Sequence, residues 1–191
     1  MKTNNNIISH FTILLVTLGL LSLSSCKKDD TDPTNPGDPN ESELITTIKL
    51  TFRDTSGTTP DRQFIFKDAD GDGGNPPSVF DTIRIDFQKV YDVSVLLLDE
   101  SKTPSDTISN EVLAEAEDHM FFFLHSGVNI STTYLDADAN GIGLGLESRW
   151  VSGATSTGIS RVVLKHQPGI KDGTFGPGET DIDVDFQSIV Q

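Results

Sequence analysis

The stretch TIRIDFQKVYDVSVLLLD, residues 82–99, decides the class of fold. Polar and apolar residues alternate at 82–87, and a longer, more apolar run follows at 91–99. A period of two is typical of strands with one buried face. Similar runs, separated by Gly, Pro, Asn and Asp, occur at 44–52, 63–67, 128–135, 147–152, 160–166 and 181–190. Short strands at this spacing predict a mainly β protein, a single antiparallel β-sandwich of the immunoglobulin-like or transthyretin-like kind.

One segment differs from this pattern. Possible capping residues and several acids precede apolar residues at helical spacing, which predicts a short helix at about 109–118. A strand is expected to follow at 120–125. Its period of two separates two faces, Met120, Phe122 and Leu124 on one and His119, Phe121, Phe123 and His125 on the other.

Residues 1–25 have the charged start and apolar run of an export signal. The run is interrupted by Ser and Thr and ends at LSSC, 23–26, which resembles the lipobox of bacterial lipoproteins. That resemblance implies acylation of Cys26, which would anchor the chain to a membrane through lipid. A plain signal peptide and a transmembrane anchor are the alternatives. Residues 26–42, rich in Pro and Asp, are expected to form a disordered tether, and 43–191 to form the β-sandwich domain.

Charge and cysteine content narrow the classes of function. The chain carries 29 acidic and 14 basic residues, a net charge of −15 with His neutral. Nucleic acid is therefore not an expected partner, because binding a phosphate backbone needs a basic face. The acidity is compatible with solubility and with an affinity for cations. Cys26 is the only cysteine, so no internal disulfide can hold the domain.

DADANGIGLGLE, residues 136–147, matches the twelve-residue calcium loop of EF-hands. Its flanks read as strands, so a helix–loop–helix unit is not expected. Asn-Gly is also a favoured hairpin turn, and Asp is common in turns. A calcium site on a strand-to-strand loop and a plain acidic turn both remain open. The candidate ligands are Asp136, Asp138, Asn140 and Glu147.

A second loop, DADGDGG at 68–74, places Asp68, Asp70 and Asp72 at alternate positions. This spacing could aim three carboxylates at one hard cation. The position of the closing EF-hand glutamate is occupied by Val79, so a ligand from elsewhere would be required. A calcium ion in either loop is expected to be structural.

Two histidines form a weaker hypothesis. If the strands that carry His119 and His166 meet, these side chains, with Glu117 or Asp118, could bind zinc or copper. The alternative is that they are ordinary polar residues at strand ends, because the pairing requires a contact distant in sequence.

Two other patterns give weaker evidence about function. In TDIDVDF, alternation places Asp181, Asp183 and Asp185 on one strand face, which is expected to be solvated. A cation-attracting strip is the alternative. The chain has no GxSxG or HExxH motif and no free cysteine nucleophile, so it is not expected to be an enzyme.

Taken with the lipobox, the pattern FKDADGDGGNPP … EDHMFFF … RVVLKHQPG resembles a family of small, uncharacterised Bacteroidota lipoproteins of the outer membrane or cell surface. The family is sometimes labelled as type 1 periplasmic binding fold. A chain this short, without alternating strands and helices, does not support that label. The resemblance covers 43–191 and implies no catalytic residues.

Two functions follow as hypotheses. The first is a non-catalytic protein, anchored by lipid to the outer membrane and exposed at the cell surface. It would capture a metal or small ligand, with an outer-membrane transporter as a possible partner. The second is a structural or adhesive surface domain that calcium stiffens through its Asp-rich loops. Close contact between His119 and His166 would favour the first hypothesis.

Overall fold

The computed structural model describes residues 44–70 and 74–191. The predicted signal peptide, the lipidation site Cys26, the tether and Asp72 lie outside these ranges. In the described residues no helix is long and apolar enough to cross a membrane.

Strands account for most of the regular structure in the described residues, as the alternation predicted. They are β1 (Thr47–Asp54), β2 (Arg62–Lys67), β3 (Val79–Phe80), β4 (Ile83–Ile85), β5 (Val90–Leu98), β6 (His119–Ser126), β7 (Ile130–Tyr134), β8 (Glu147–Ser152), β9 (Ser156–His166) and β10 (Glu179–Val190).

The strands form two sheets, which confirms the mainly β sandwich. One sheet has the order β3-β2-β1-β5-β8-β7 and the other has the order β4-β10-β9-β6. The pairings are antiparallel except that β4 runs parallel to β10. The parallel β4–β10 pair makes the smaller sheet mixed at one edge, a detail that the predicted antiparallel sandwich did not specify.

The core lies between the inner faces of the two sheets and is held together by apolar burial. Phe52, Tyr91 and Trp150 of the larger sheet are fully buried and meet edge to face, with Phe52 5.8 Å from Tyr91 and 5.1 Å from Trp150 between ring centroids. Phe121 and Phe186 supply aromatic rings from the smaller sheet.

The helix is shorter than the sequence predicted. Helix α1 runs over Ile108–Ala114 and buries Ile108 and Val112. The prediction of helix to residue 118 is wrong, because the carbonyl of Glu115 accepts the N–H of Asp118 at 2.9 Å in a tight turn. The chain thus turns directly into β6.

The two predicted faces of β6 are confirmed. Phe121 packs in the main core, whereas Met120 and Phe122 form a small cluster with Val163 on the opposite side of the sheet. This alternation also decides which side His119 occupies. It shares the inner face with Phe121.

Candidate metal centre

The fold brings His119 and His166 together. The antiparallel register of β6 and β9 pairs His119 directly with His166 at the end of the ladder. Their rings stack with centroids 4.5 Å apart and planes 4° from parallel. Both residues are buried. The contact on which the sequence hypothesis depended therefore exists in this fold.

The surroundings of His119 select one tautomer of its ring. Nδ1 lies 3.1 Å from the carbonyl oxygen of Glu115, and a carbonyl can only accept, so Nδ1 carries the proton. Burial is the main reason that the pKa of His119 is lowered, which favours the neutral ring. Nε2 then presents a lone pair. It is buried and has no hydrogen-bond partner among the described residues.

Glu115 adds an acidic side chain to the histidine pair. One ligand atom each from Glu115, His119 and His166 lies within 4.8 Å of the others. Glu115 is exposed, so the cluster has a member that faces solvent. The acids considered from the sequence do not join this group: Glu117 is exposed, and Asp118 accepts the N–H of Gly169 at 3.2 Å.

Asp181 lies next to His119, although it is not one of the three residues whose ligand atoms lie within 4.8 Å of one another. The register of β10 against β9 shifts between Thr180 and Ile182, so Asp181 has no cross-strand partner. Its side chain is 0% exposed, and its Oδ2 lies 3.8 Å from Nε2 of His119. The expectation of a solvated Asp181 is therefore wrong, because a β-bulge interrupts the alternation. Burial raises the pKa of Asp181 to about 6.

The loop 167–178 is fixed beside this end of the smaller sheet. The N–H of Gln167 donates to the carbonyl of Asp118, and Gln167 Nε2 donates to the carbonyls of Thr174 and Pro177. Gly178 has φ +78°, and a Cβ there would lie 2.1 Å from the carbonyl oxygen of His166. The loop can approach His166 this closely only with glycine at that position.

The 136–147 loop uses its carboxylates internally. Asp136 accepts the N–H groups of Gly145 at 2.7 Å and Glu147 at 2.9 Å. Asp138 Oδ1 accepts those of Asn140 and Ile142, both at 2.9 Å. The bond from Asn140 to Asp138 is that of an Asx turn, and the bonds to Asp136 close the loop across its ends. The backbone N–H of Glu147 takes part in the hydrogen bonds of the loop. Glu147 is exposed and is the first residue of β8.

Lys171 supplies the positive charge next to Asp138 in the 136–147 loop. Lys171 Nζ lies 2.9 Å from Oδ2 of Asp138 and 2.8 Å from the carbonyl oxygen of Ala116. The side chains of Lys171 and Asp138 are 2% and 1% exposed. Burial opposes ionisation of Asp138, but Lys171 and the loop N–H groups outweigh it and lower its pKa. The geometry of this loop favours the acidic-turn interpretation over the calcium site.

The 68–74 loop is described only in part. Asp70 accepts the backbone N–H of Asn75 at 2.9 Å and its side-chain amide at 2.7 Å. Asp68 is buried and Asp70 exposed. Since Asp72 lies outside the described residues, the calcium hypothesis for Asp68, Asp70 and Asp72 stays a prediction.

His125, on the same strand as His119, provides an internal contrast. Its Nδ1 lies 3.0 Å from the hydroxyl of Ser160, and its Nε2 lies 2.8 Å from the hydroxyl of Thr132. Burial lowers the pKa of His125 to about 4. Both ring nitrogens have hydrogen-bond partners, so neither nitrogen is left to bind a metal and His125 is a structural residue.

Glu115 and Lys171 were not among the candidates from the sequence, and Asp181 was expected on a solvated strand face. Glu115 lies four residues before His119, a spacing that could have suggested a shared site near a helix end. For Asp181 and Lys171 the sequence carries no comparable signal, because a bulge and a long-range ion pair place them.

Comparison with known proteins adds no relative: no family model, curated protein or solved structure matches the chain.

Proposed function

We propose that this protein is a lipid-anchored, non-catalytic binding protein at the outer membrane or cell surface, and that it captures a transition-metal ion such as zinc or copper. The observation that carries the proposal is the buried His119–His166 pair with an unpartnered Nε2 on His119. Imidazole nitrogen is a preferred ligand of both metals. A polar atom buried without a partner is costly, and a bound ion would remove that cost.

Two further features of the cluster are typical of metal-binding sites. The carbonyl of Glu115 fixes the His119 tautomer, as the groups behind metal-bound histidines commonly do. The exposed carboxylate of Glu115 lies at the solvent side of the cluster, where an ion would enter. The strongly acidic chain attracts cations generally. Delivery to an outer-membrane transporter is the role we propose for the captured ion.

The test is a zinc and copper(II) titration of the full chain, purified in detergent and stripped with EDTA. We expect one equivalent to bind to the wild type, with affinity reduced at least 10-fold in His119→Gln and in His166→Gln. His125→Gln is the matched control, since it also loses a histidine from β6, one that is partly buried, and it should bind normally. Equal binding by all four chains, or binding by none, would contradict the proposal.

Capture differs from a purely structural role in one measurable way. A captured ion must leave a folded protein, so EDTA should remove it while the near-ultraviolet circular dichroism stays native. An ion whose removal unfolds the chain would indicate a structural site instead.

The lipid anchor has a separate test. The LSSC lipobox predicts that Cys26 is acylated. Cys26→Ala should therefore move the protein from the membrane fraction to the soluble or precursor pool, with loss of incorporated radiolabelled palmitate. Unchanged labelling would refute the proposed lipid anchor but would not affect the proposal of a metal site.

A further inference from the structure

Asp181 is placed by an irregularity of the sheet and not by the alternation of its strand. Asp183 follows the regular pattern and pairs with Arg161 at the surface, whereas Asp181 falls at the bulge between Thr180 and Ile182. A bulge inserts an extra residue into one strand and can redirect a side chain out of the regular alternation. The bulge thus directs a carboxylate into the space beside His119.

The buried carboxylate of Asp181 lacks the partners that such groups normally have. Neither oxygen has a hydrogen-bond partner among residues 44–70 and 74–191. The nearest basic atom is Nε2 of His119 at 3.8 Å, which is too far for a hydrogen bond. Two acceptors, a lone pair and a carboxylate, therefore face each other with no donor between them. A cation placed between them would satisfy both.

We propose that Asp181 is a buried oxygen ligand of the ion bound by His119 and His166, and that it makes the site select divalent zinc or copper(II) over copper(I). This inference rests on the proposed function and names its ligand class. The donor set is two imidazoles with the carboxylates of Asp181 and Glu115. Two neutral rings and two carboxylates balance the charge of a divalent ion.

The distance between His119 and Asp181 is close to that expected for two ligands of one ion. Ligand atoms at about 2.0–2.1 Å from a tetrahedral zinc lie roughly 3.3 Å from one another. The 3.8 Å between Nε2 of His119 and Oδ2 of Asp181 approaches this value. The rings of His119 and His166 are 4° from parallel, so one ring must rotate before both can bind the same ion. The ligand atom of Glu115 lies within 4.8 Å of those of the two histidines. The Glu115 side chain must therefore move further to reach the ion, and its exposed position allows this movement.

The chemistry of the donors disfavours copper(I). Copper(I) prefers thiolate and thioether sulfur. The neighbouring Met120 packs with Phe122 and Val163 on the opposite side of the sheet, so its sulfur is directed away from the histidines. Carboxylate oxygen is a harder donor and suits a divalent ion better.

The experiment compares wild type, Asp181→Asn and Asp183→Asn as full chains in detergent. Zinc is titrated aerobically, and copper(I) is titrated anaerobically against a chromophoric chelator. We expect Asp181→Asn to weaken zinc binding 10- to 100-fold and copper(I) binding less than 3-fold, whereas Asp183→Asn matches wild type. The zinc-to-copper(I) affinity ratio should thus fall at least several-fold in Asp181→Asn only.

A folding control keeps the result interpretable. Asp181→Asn removes an unpaired buried charge, so the melting temperature of the metal-free variant should equal or exceed that of wild type. Wild-type zinc affinity in Asp181→Asn would overturn the assignment of Asp181 while leaving His119 and His166 as ligands. A wild type that binds no zinc would overturn both this inference and the proposed function.

Discussion

The 136–147 loop and the histidine cluster are opposites. The loop carries a recognisable calcium motif, yet Asp136 and Asp138 already bind the loop's own N–H groups, and Lys171 supplies a cation. The cluster has no motif, yet His119 and Asp181 present buried atoms that lack partners. The difference teaches that residue type and spacing propose a ligand, whereas the capacity to bind depends on what the fold has left unsatisfied.

The largest effect is expected from removing the lysine that completes the loop. Lys171→Met leaves Asp138 buried without its ammonium partner, which should lower the free energy of unfolding by about 3 kcal/mol. Denaturant unfolding of the wild type and variant measures this loss. Arg149→Met is the control, because it breaks the exposed Arg149–Asp92 pair and should cost below about 1 kcal/mol. Equal losses in the two variants would mean that Lys171 is not the internal cation of the loop.

His125 of β6 should make the stability of the protein depend on pH. Burial lowers the pKa of His125 to about 4 from an ordinary value near 6.5. Between these values the unfolded chain binds a proton that the native chain does not, so stability falls as pH drops from 6.5 to 4. Allowing for partial solvent screening, the loss is about 2 kcal/mol.

Asp181 acts in the opposite direction over part of this range, since its raised pKa favours the native state at lower pH. A comparison with His125→Gln isolates the histidine. The difference in unfolding free energy between wild type and His125→Gln should shrink by about 2 kcal/mol from pH 7 to pH 4. A difference that is constant with pH would show that His125 is not held neutral by burial.

A smaller effect tests whether the loop and the cluster are independent. Tyr134 packs against the loop glycine Gly143, and its hydroxyl donates to the carbonyl of Phe121 on β6 at 2.6 Å. Tyr134→Phe should cost about 1 kcal/mol of stability through this lost hydrogen bond. Zinc affinity should not change. A 10-fold loss of zinc affinity in this variant would show that the loop helps to position the metal ligands.

Local patterns in the sequence predicted local features well. The period of two predicted β8 at 147–152 and the two faces of β6, both of which are confirmed. The helix ended early because the turn at Glu115 competes with helical continuation, and neighbouring residue types did not reveal this.

The site was less predictable because its parts are distant in sequence. That His119 and His166 meet depends on the pairing of β6 with β9, and 46 residues separate the two histidines. Asp181 depends on a bulge in β10, which shifted it from the expected solvated face to the interior. Lys171 reaches Asp138 from another loop. Periodicity constrains which face a residue occupies, but it does not determine partners across strands or loops.

The most direct test of the comparison is one set of melting curves of the full chain after EDTA treatment, with zinc, with calcium and without added metal. This comparison predicts that zinc raises the melting temperature of the wild type, that this rise is absent in His119→Gln, and that no stabilisation by calcium depends on Asp138. A rise with calcium that is lost in Asp138→Asn, together with no response to zinc, would contradict it.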